Sequence, residues 1–473
     1  MKLVPRYTNI GDGFAISDHP AKVAAPQLLL WNEPLAKQFN IQVSADSRAN
    51  IFSGNEPQAI SAVALGYSGH QFGHFSPRLG DGRAHLLGAI SDDKNQLWDL
   101  QLKGAGATPF SRGGDGRCAL GPAIREYVMS EAMHALGIPT TRCLAVVGSG
   151  ETVYRNPPQP GAIVTRLASS HIRVGSFQYL ATQGDVTSLK NLADLAIQRH
   201  YPEINSTGAQ RYLDFLAAVI ANQVKLVVSW MRVGFIHGVM NTDNTLISGE
   251  TIDYGPCAMM NQFDFDTVFS SIDKQGRYAF GNQPNMASWN CARLAESLIA
   301  LISDDDEQAV AMMTPLIEGF STQFNQQFSA MWAQKLGLTV ADDKDNKLVG
   351  ELLGLLKQHQ LDYTNTFNAL TESLTGQAQI PSALVSWAQQ WQTRTNEHSY
   401  NIMRQANPSV IPRNHIIEDI ITQYTTHGDT HGDSELLSRF IQVMSSPYTS
   451  NMQATEFQQP PEDDKNYRTF CGT

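Results

Sequence analysis

Cysteine is scarce and scattered in this chain: five residues, at 118, 143, 257, 291 and 471, with no C-x-x-C pair. An odd, unpaired set excludes a disulfide framework and gives no support for a structural zinc site; it suits a reducing, cytoplasmic setting. No uninterrupted apolar run approaches the roughly 18 to 20 residues of a membrane span, and Met1-Lys-Leu-Val-Pro-Arg-Tyr lacks the apolar core of a signal peptide. Neither a membrane partner nor a leader is therefore expected. Basic surplus is absent as well. A formal charge of -11 argues against nucleic acid or an anionic surface as a non-specific partner, because counterion release needs clustered cations. There is no G-x-S-x-G elbow, no Walker A sequence and no H-E-x-x-H, which weakens hydrolase, P-loop and zincin readings.

What remains is 42% hydrophobic and 17% charged, enough to bury a large core over 473 residues. Up to about residue 165 the chain is rich in glycine and strand-like runs, such as Gln96-Leu-Trp-Asp-Leu-Gln-Leu-Lys103 and Thr140-Thr-Arg-Cys-Leu-Ala-Val-Val147. One helix interrupts them, punctuated by Pro122 and Gly137. From 186 to 233 and from 288 to 440 the apolar spacing is helical, as in Ala292, Leu294, Leu298, Ile299 and Ile302. The expected fold is α+β and two-lobed: residues 1–165 as a strand-rich N-terminal lobe, 166–450 as a helical lobe with extra C-terminal helices, and 451–473 as an extended tail.

The most telling stretch is Gly234-Phe-Ile-His-Gly-Val-Met-Asn-Thr-Asp-Asn244, followed by Asp253-Tyr-Gly255. In a protein-kinase catalytic loop, H-R-D-x-x-x-x-N, the Asp that accepts the hydroxyl proton precedes the metal-binding Asn by five residues. Counting back from Asn244 puts His237 at the His, Gly238 at the Arg and Val239 at the Asp. Val cannot accept a proton. Asp243 is the nearby carboxylate that can take over as base; His237 is the alternative, although its place in the loop favours a structural role. Thr245-Leu-Ile-Ser and Thr251-Ile-Asp flank Gly249, so the segment predicts a β-hairpin with Asn244 opposite Asp253, both able to hold one Mg²⁺. An ordinary polar hairpin is the competing reading.

Lys103 stands on the polar side of a period-two run, with Arg125-Glu126 on the helix that follows; a strand Lys paired to helix Glu126 is how kinases hold phosphates. Leu79-Gly-Asp-Gly-Arg-Ala84 offers Gly80, Gly82 and Arg83, with glycine N–H groups able to approach phosphate, though alone it reads as a simple turn. Ser111-Arg-Gly-Gly-Asp-Gly-Arg117 adds Asp115 and Gly116, as nucleotide contacts or a helix cap. Arg166 and Arg173 suit phosphate, or surface salt bridges. His70-Gln-Phe-Gly-His74 has metal-pair spacing but no local carboxylate, so packing is expected there.

Together these segments resemble the selenoprotein O family of protein adenylyltransferases, which have a protein-kinase-like fold. The likeness runs through Tyr67-Ser-Gly-His-Gln-Phe-Gly-His74, Leu79-Gly-Asp-Gly-Arg83, Leu102-Lys-Gly-Ala-Gly106, Ser130-Glu-Ala-Met-His-Ala-Leu-Gly-Ile-Pro-Thr-Thr141, His237-Gly-Val-Met-Asn-Thr-Asp-Asn244, Asp253-Tyr-Gly-Pro256, Gly276-Arg-Tyr and the terminal Phe470-Cys-Gly-Thr473. The resemblance implies transfer of AMP from ATP to hydroxyl side chains of proteins, self-modification included, with pyrophosphate released and the nucleotide inverted relative to kinases. It implies Asp243 as proton acceptor, Lys103 paired with Glu126, and Asn244 and Asp253 on Mg²⁺, with Mn²⁺ as an alternative. Gly80, Gly82, Arg83, Lys103, Asp115, Gly116, Arg166, Arg173 and Asp253 would contact ATP. It also implies redox control through Cys471, with Cys257 as the candidate partner. UTP stands as an alternative donor, since nothing in these motifs reads a base edge. A γ-phosphate kinase and a non-catalytic nucleotide-binding scaffold remain the competing functions. Val239 counts against the first, and the retention of Lys103, Glu126, Asn244 and Asp253 against the second.

Overall fold

A strand that alternates leucine with Asp99, Gln101 and Lys103 would ordinarily turn its polar side to water. In the computed structural model, which describes residues 1–56, 62–339, 343–426, 435–449, 455–462 and 467–470, that side is closed instead. Strand by strand the chain reads β1 (Ala15–Ser17), β2 (Gln27–Trp31), β3 (Val63–Leu65), β4 (Gly69–Gln71), β5 (His74–Ser76), β6 (Ala84–Ser91), β7 (Leu97–Lys103), β8 (Cys118–Ala119), β9 (Arg142–Val153) and β10 (Gln159–Ala168). Eight of them form an antiparallel sheet in the order β1-β3-β6-β7-β10-β9-β2, with β8 added on β10; β4 and β5 make a separate hairpin. The register sets Lys103 beside Ala84 on one neighbour and Val164 on the other, so Lys103 sits at the sheet's centre.

Both faces of the sheet are covered. Leu100, Leu102, Leu144, Ile163 and Leu167 pack on one side with Phe39 and Phe52, near helices α1 (Glu33–Gln38) and α2 (Ala45–Ser53). Helix α3 (Leu120–Ala135) lies across the other, buried on almost every turn. Its end is the expected one, with Gly137 at φ 72. The polar residues of β7 stay buried because each finds a charged or amide partner. Asp99, with no exposure, accepts from Tyr7 (2.6 Å) and from Arg199 (2.8 Å). Burial alone would raise Asp99, but Arg199 and His171 overcome it and hold the carboxyl far below its usual range.

After β10 the chain is mainly helical, with one short antiparallel pair, Phe235–Ile236 with Ala258–Met259: α4 (Val174–Thr182), α5 (Val186–His200), α6 (Gly208–Val233), α7 (Gln283–Ile302) and α8 (Asp306–Lys335) come first. By length and composition α6 could cross a bilayer, yet most of its apolar side chains are buried, against α7 and α8. Its role here is that of a core helix. Further helices include Asn414–Thr426, which packs on α3. The stretch expected as an extended tail holds a short helix, Thr455–Gln458, and Thr469, which bridges Ser270.

The hairpin expected over 244–255 does not form. Residues Thr242–Asn244 make one 3-10 turn, and the two strand-like runs around Gly249 pair elsewhere. Leu246 bridges Arg173, while Thr251 bridges Thr140. The β-propensity of both runs is satisfied by neighbours far away in sequence, so tertiary pairing overrides the local turn signal.

Cys118, Cys143, Cys257 and Cys291 are free and buried; Cys471 lies outside the described residues. Burial pushes Cys257 and Cys291 up to about 12. Iodoacetamide at mildly alkaline pH should therefore leave these four thiols unmodified in the native protein and label all four in denaturant, as read by peptide mass spectrometry.

Candidate active site

The cleft that gathers the sequence's candidates has a volume of about 630 Å³. Gly80, Gly82, Arg83, Lys103, Asp115, Gly116, Arg166, Arg173, Asp243, Asn244 and Asp253 all line it. Glu126 stands just behind, buried on α3.

At its centre Lys103 Nζ donates to Glu126 Oε2 and to Asp253 Oδ1, both at 2.6 Å. Arg166 joins the same two carboxylates, at 3.2 Å from Glu126 Oε1 and 2.8 Å from Asp253 Oδ1, while its Nε donates to Gln101 Oε1 at 2.8 Å. Arg173 bonds Asp81 Oδ1 at 3.2 Å and lies 3.9 Å from Asp253 Oδ2, its guanidinium over the Tyr67 ring. Burial by itself would push Asp253 up. Lys103, Arg166 and Arg173 outweigh it and hold the carboxyl well below its ordinary value. For Lys103 burial acts downward, and Asp253 with Glu126 reverses it. Three of the four cations anticipated for a triphosphate are thus already matched by Glu126, Asp253 and Asp81. A nucleotide has to share them rather than find them bare.

Asp253 sits on left-handed backbone, at a φ of 63°, a conformation that aspartate tolerates better than most residues other than glycine. The preceding carbonyl, of Ile252, is bonded by His237 Nε2 at 2.9 Å, and the Val239 N–H lies 3.4 Å from His237 Nδ1. With both ring nitrogens engaged and burial lowering its affinity for a proton, His237 is structural and unavailable as a base.

Asp243 sits in the 3-10 turn with little exposure, and burial pushes it up to about 6. Its Oδ2 accepts from Gln71 Nε2 at 3.3 Å; Oδ1 is buried without a partner. Gln71 belongs to the β4–β5 hairpin, which is strapped to this turn. The His70 N–H donates to Thr242 Oγ1 (2.8 Å) and the Phe72 N–H to Asn241 Oδ1 (3.1 Å). Asn244 Nδ2 donates to the Val239 carbonyl at 3.1 Å, which directs the amide oxygen away from that bond. Two oxygen ligands beside space for phosphate are what Mg²⁺ takes when it keeps waters and binds substrate oxygens, so Asn244 and Asp253 fit such an ion.

The glycine loop serves differently from expectation. The Gly80 and Gly82 N–H groups are taken by the carbonyls of Tyr67 (3.1 Å) and Gly80 (2.9 Å), so they are not held out to phosphate. Glycine is needed at 80 for its φ of 72° and because a Cβ would fall 2.2 Å from the Phe110 ring. Asp115 is held by Arg155 at 2.8 and 3.0 Å. Sequence reasoning missed Gln101, Asp81 and Gln71. Gln101 shares a strand face with Lys103, a signal that period two carries; Gln71 had only a packing motif to mark it.

A family model described as protein adenylyltransferase SelO matches residues 1–442. The chain belongs to that family. Among curated relatives, the protein nucleotidyltransferase YdiU of Pseudoalteromonas translucida (strain TAC 125) is 75% identical over 473 residues, covering all of both chains. That of Teredinibacter turnerae is 47% identical over 489 residues, again across both whole chains. That of Bacillus cereus (strain ATCC 14579) is 46% identical, over 99% of this chain and 97% of its own. SelO membership makes the chain an enzyme of the protein nucleotidyltransferase class.

In this SelO chain the base candidate is hemmed in: a Cβ at Gly69 would lie 2.4 Å from Asp243 Oδ1. Gly69→Ala should displace the carboxylate and lower the transfer rate by about 100-fold, with ATP affinity within a few-fold of wild type by calorimetry.

Proposed function

We propose that this enzyme transfers AMP from ATP to Ser, Thr or Tyr hydroxyls of protein substrates and of itself, releasing pyrophosphate. One observation carries the reading. Where a kinase loop has its proton acceptor this chain has Val239, and four residues on, at the same cleft, it has a buried carboxylate, Asp243, poised near neutrality. A carboxylate with that affinity accepts a proton from an attacking hydroxyl and keeps it while the bond forms.

In the proposed reaction the acceptor oxygen attacks the α-phosphorus, its proton passes to Asp243, and the bond to the β-phosphate oxygen breaks. Lys103, Arg83, Arg166 and Arg173 offer donors to the phosphates, where negative charge collects as pyrophosphate leaves. Asn244 and Asp253 would hold Mg²⁺, or Mn²⁺ in its place, which supplies neutralising charge at the triphosphate when bound. Glu126 keeps Lys103 in place, and Gln71 keeps Asp243 turned to the cleft.

The same reading makes the sheet with α3 the upper lobe of a kinase-like pair and the helices after Arg173 the lower. The strand Lys, the helix Glu and the loop carrying Asn244 and Asp253 support it. Four free, buried cysteines among the described residues support a cytoplasmic setting.

Incubation with ATP labelled at the α or the γ position tests the reaction. Label from the α position should be retained on protein and γ label should not; the reverse would make the chain a kinase. Asp243→Asn should cut α-label transfer by about 10²- to 10⁴-fold while ATP still binds.

A further inference from the structure

The catalytic turn is tied to two surface elements by one atom. Asn241 Oδ1, two residues before Asp243, accepts from the Phe72 N–H of the β4–β5 hairpin and from the Tyr278 hydroxyl at 2.6 Å. Tyr278 and Arg277 belong to a turn folded around Asp273, whose carboxylate takes the N–H of Arg277 (2.9 Å) and of Tyr278 (2.8 Å). Both elements are therefore fixed relative to the base. They meet where the hairpin turns: a Cβ on Gly73 would lie 3.7 Å from the Arg277 guanidinium. Phe72 and Ile272, one from each element, line the active-site cleft, so this junction is its rim.

Arg277 differs from the cations at the centre of the cleft and from Arg155. Lys103 and Arg166 have Glu126 and Asp253, Arg173 has Asp81, and Arg155 has Asp115. Arg277 has no carboxylate within ion-pair distance among the described residues; its Nε is buried without a partner, as are those of Arg155 and Arg173. The guanidinium carbon lies over aromatic rings, 4.9 Å from the centre of Trp289 and 5.8 Å from that of Tyr278. Arg293 covers Trp289 as well, but Glu296 neutralises it at 2.6 Å. In a chain of net charge -11, a guanidinium with no carboxylate partner, placed over two rings, is a site for an anion. The nucleotide phosphates have their own donors deeper in the cleft. The molecule that passes Arg277 to reach Asp243 is the acceptor. Exposed Phe75 and Ile272 lie on the same two elements, at 42% and 52% exposure, and offer it apolar contact.

We infer that Arg277 binds a carboxylate of the acceptor protein, so that hydroxyls in acidic, apolar-flanked segments are the ones modified. This rests on the reading of the reaction as transfer to protein hydroxyls, and the test separates the two. A library of Ser, Thr and Tyr peptides, degenerate at the flanking positions, is incubated with α-labelled ATP and the full-length enzyme. Self-labelling is followed in the same tubes. Wild type should favour Glu- and Asp-flanked peptides over Lys-flanked ones by about tenfold or more in kcat/KM. Arg277→Gln should abolish that preference, and Arg277→Glu should reverse it, with KM for ATP within twofold in both as evidence of an intact fold. Self-labelling by wild type together with no acidic preference, or with no peptide labelled at all, would overturn the inference and leave the reaction standing. Absence of α-label from every protein and peptide would instead remove the reaction on which it rests.

Discussion

The carboxylate of Asp253 is the constraint around which the rest is built. It is half-buried, it sits on left-handed backbone, and it is shared by Lys103 and Arg166 with Arg173 close by. Two of those conditions cost free energy: the left-handed backbone and the partial loss of water around a charge. The surrounding structure offsets them. His237 holds the carbonyl before Asp253; Glu126 gives Lys103 and Arg166 a second anion; Asp81 anchors Arg173. Glu126 depends in turn on α3, which is braced from the far end of the chain. Its neighbour Arg125 is paired with Glu418 and donates to the Tyr467 hydroxyl oxygen at 3.0 Å. That gives the helices after residue 300 a part in the site: they brace the helix that aims Glu126.

The turn that carries Asp243 is the second fixed body, and polar side chains rather than regular strands hold it. Asn241 and Thr242 grip the β4–β5 hairpin; Asn290 Nδ2 bonds the Met240 carbonyl and Thr245 Oγ1, at 3.0 and 2.9 Å. Asp243 Oδ1 keeps no partner there, the state suited to a group that must receive a proton. The tail reaches this region too. Thr469 donates to the Pro256 carbonyl at 2.7 Å, one residue before Cys257.

Much of this was legible in the sequence because it is local. Pro122 and Gly137 bracket α3; period two over 97–103 gives β7 and the face bearing Lys103; motif spacing picks out Asn244, Asp253 and Asp243. What escaped is set by partners far along the chain. The runs flanking Gly249 look like a hairpin, but their backbone partners lie at 139–141 and 172–174. The glycines of the 79–84 loop look made for phosphate, while packing on Phe110 accounts for Gly80. The arginines look like free cations, although Asp81 and Glu126 already face Arg173 and Arg166. Burial of the polar side of β7 is invisible to a pattern that assumes one face in water.

Which phosphorus faces Asp243 decides between AMP transfer and phosphate transfer. A crystal structure of the enzyme with a non-hydrolysable ATP analogue and Mg²⁺ measures this directly. The α-phosphorus should be the one nearest the Asp243 carboxylate, with the β- and γ-phosphates turned toward Lys103 and the arginines. A γ-phosphorus nearest Asp243, with the α-phosphate deepest in the cleft, would contradict it.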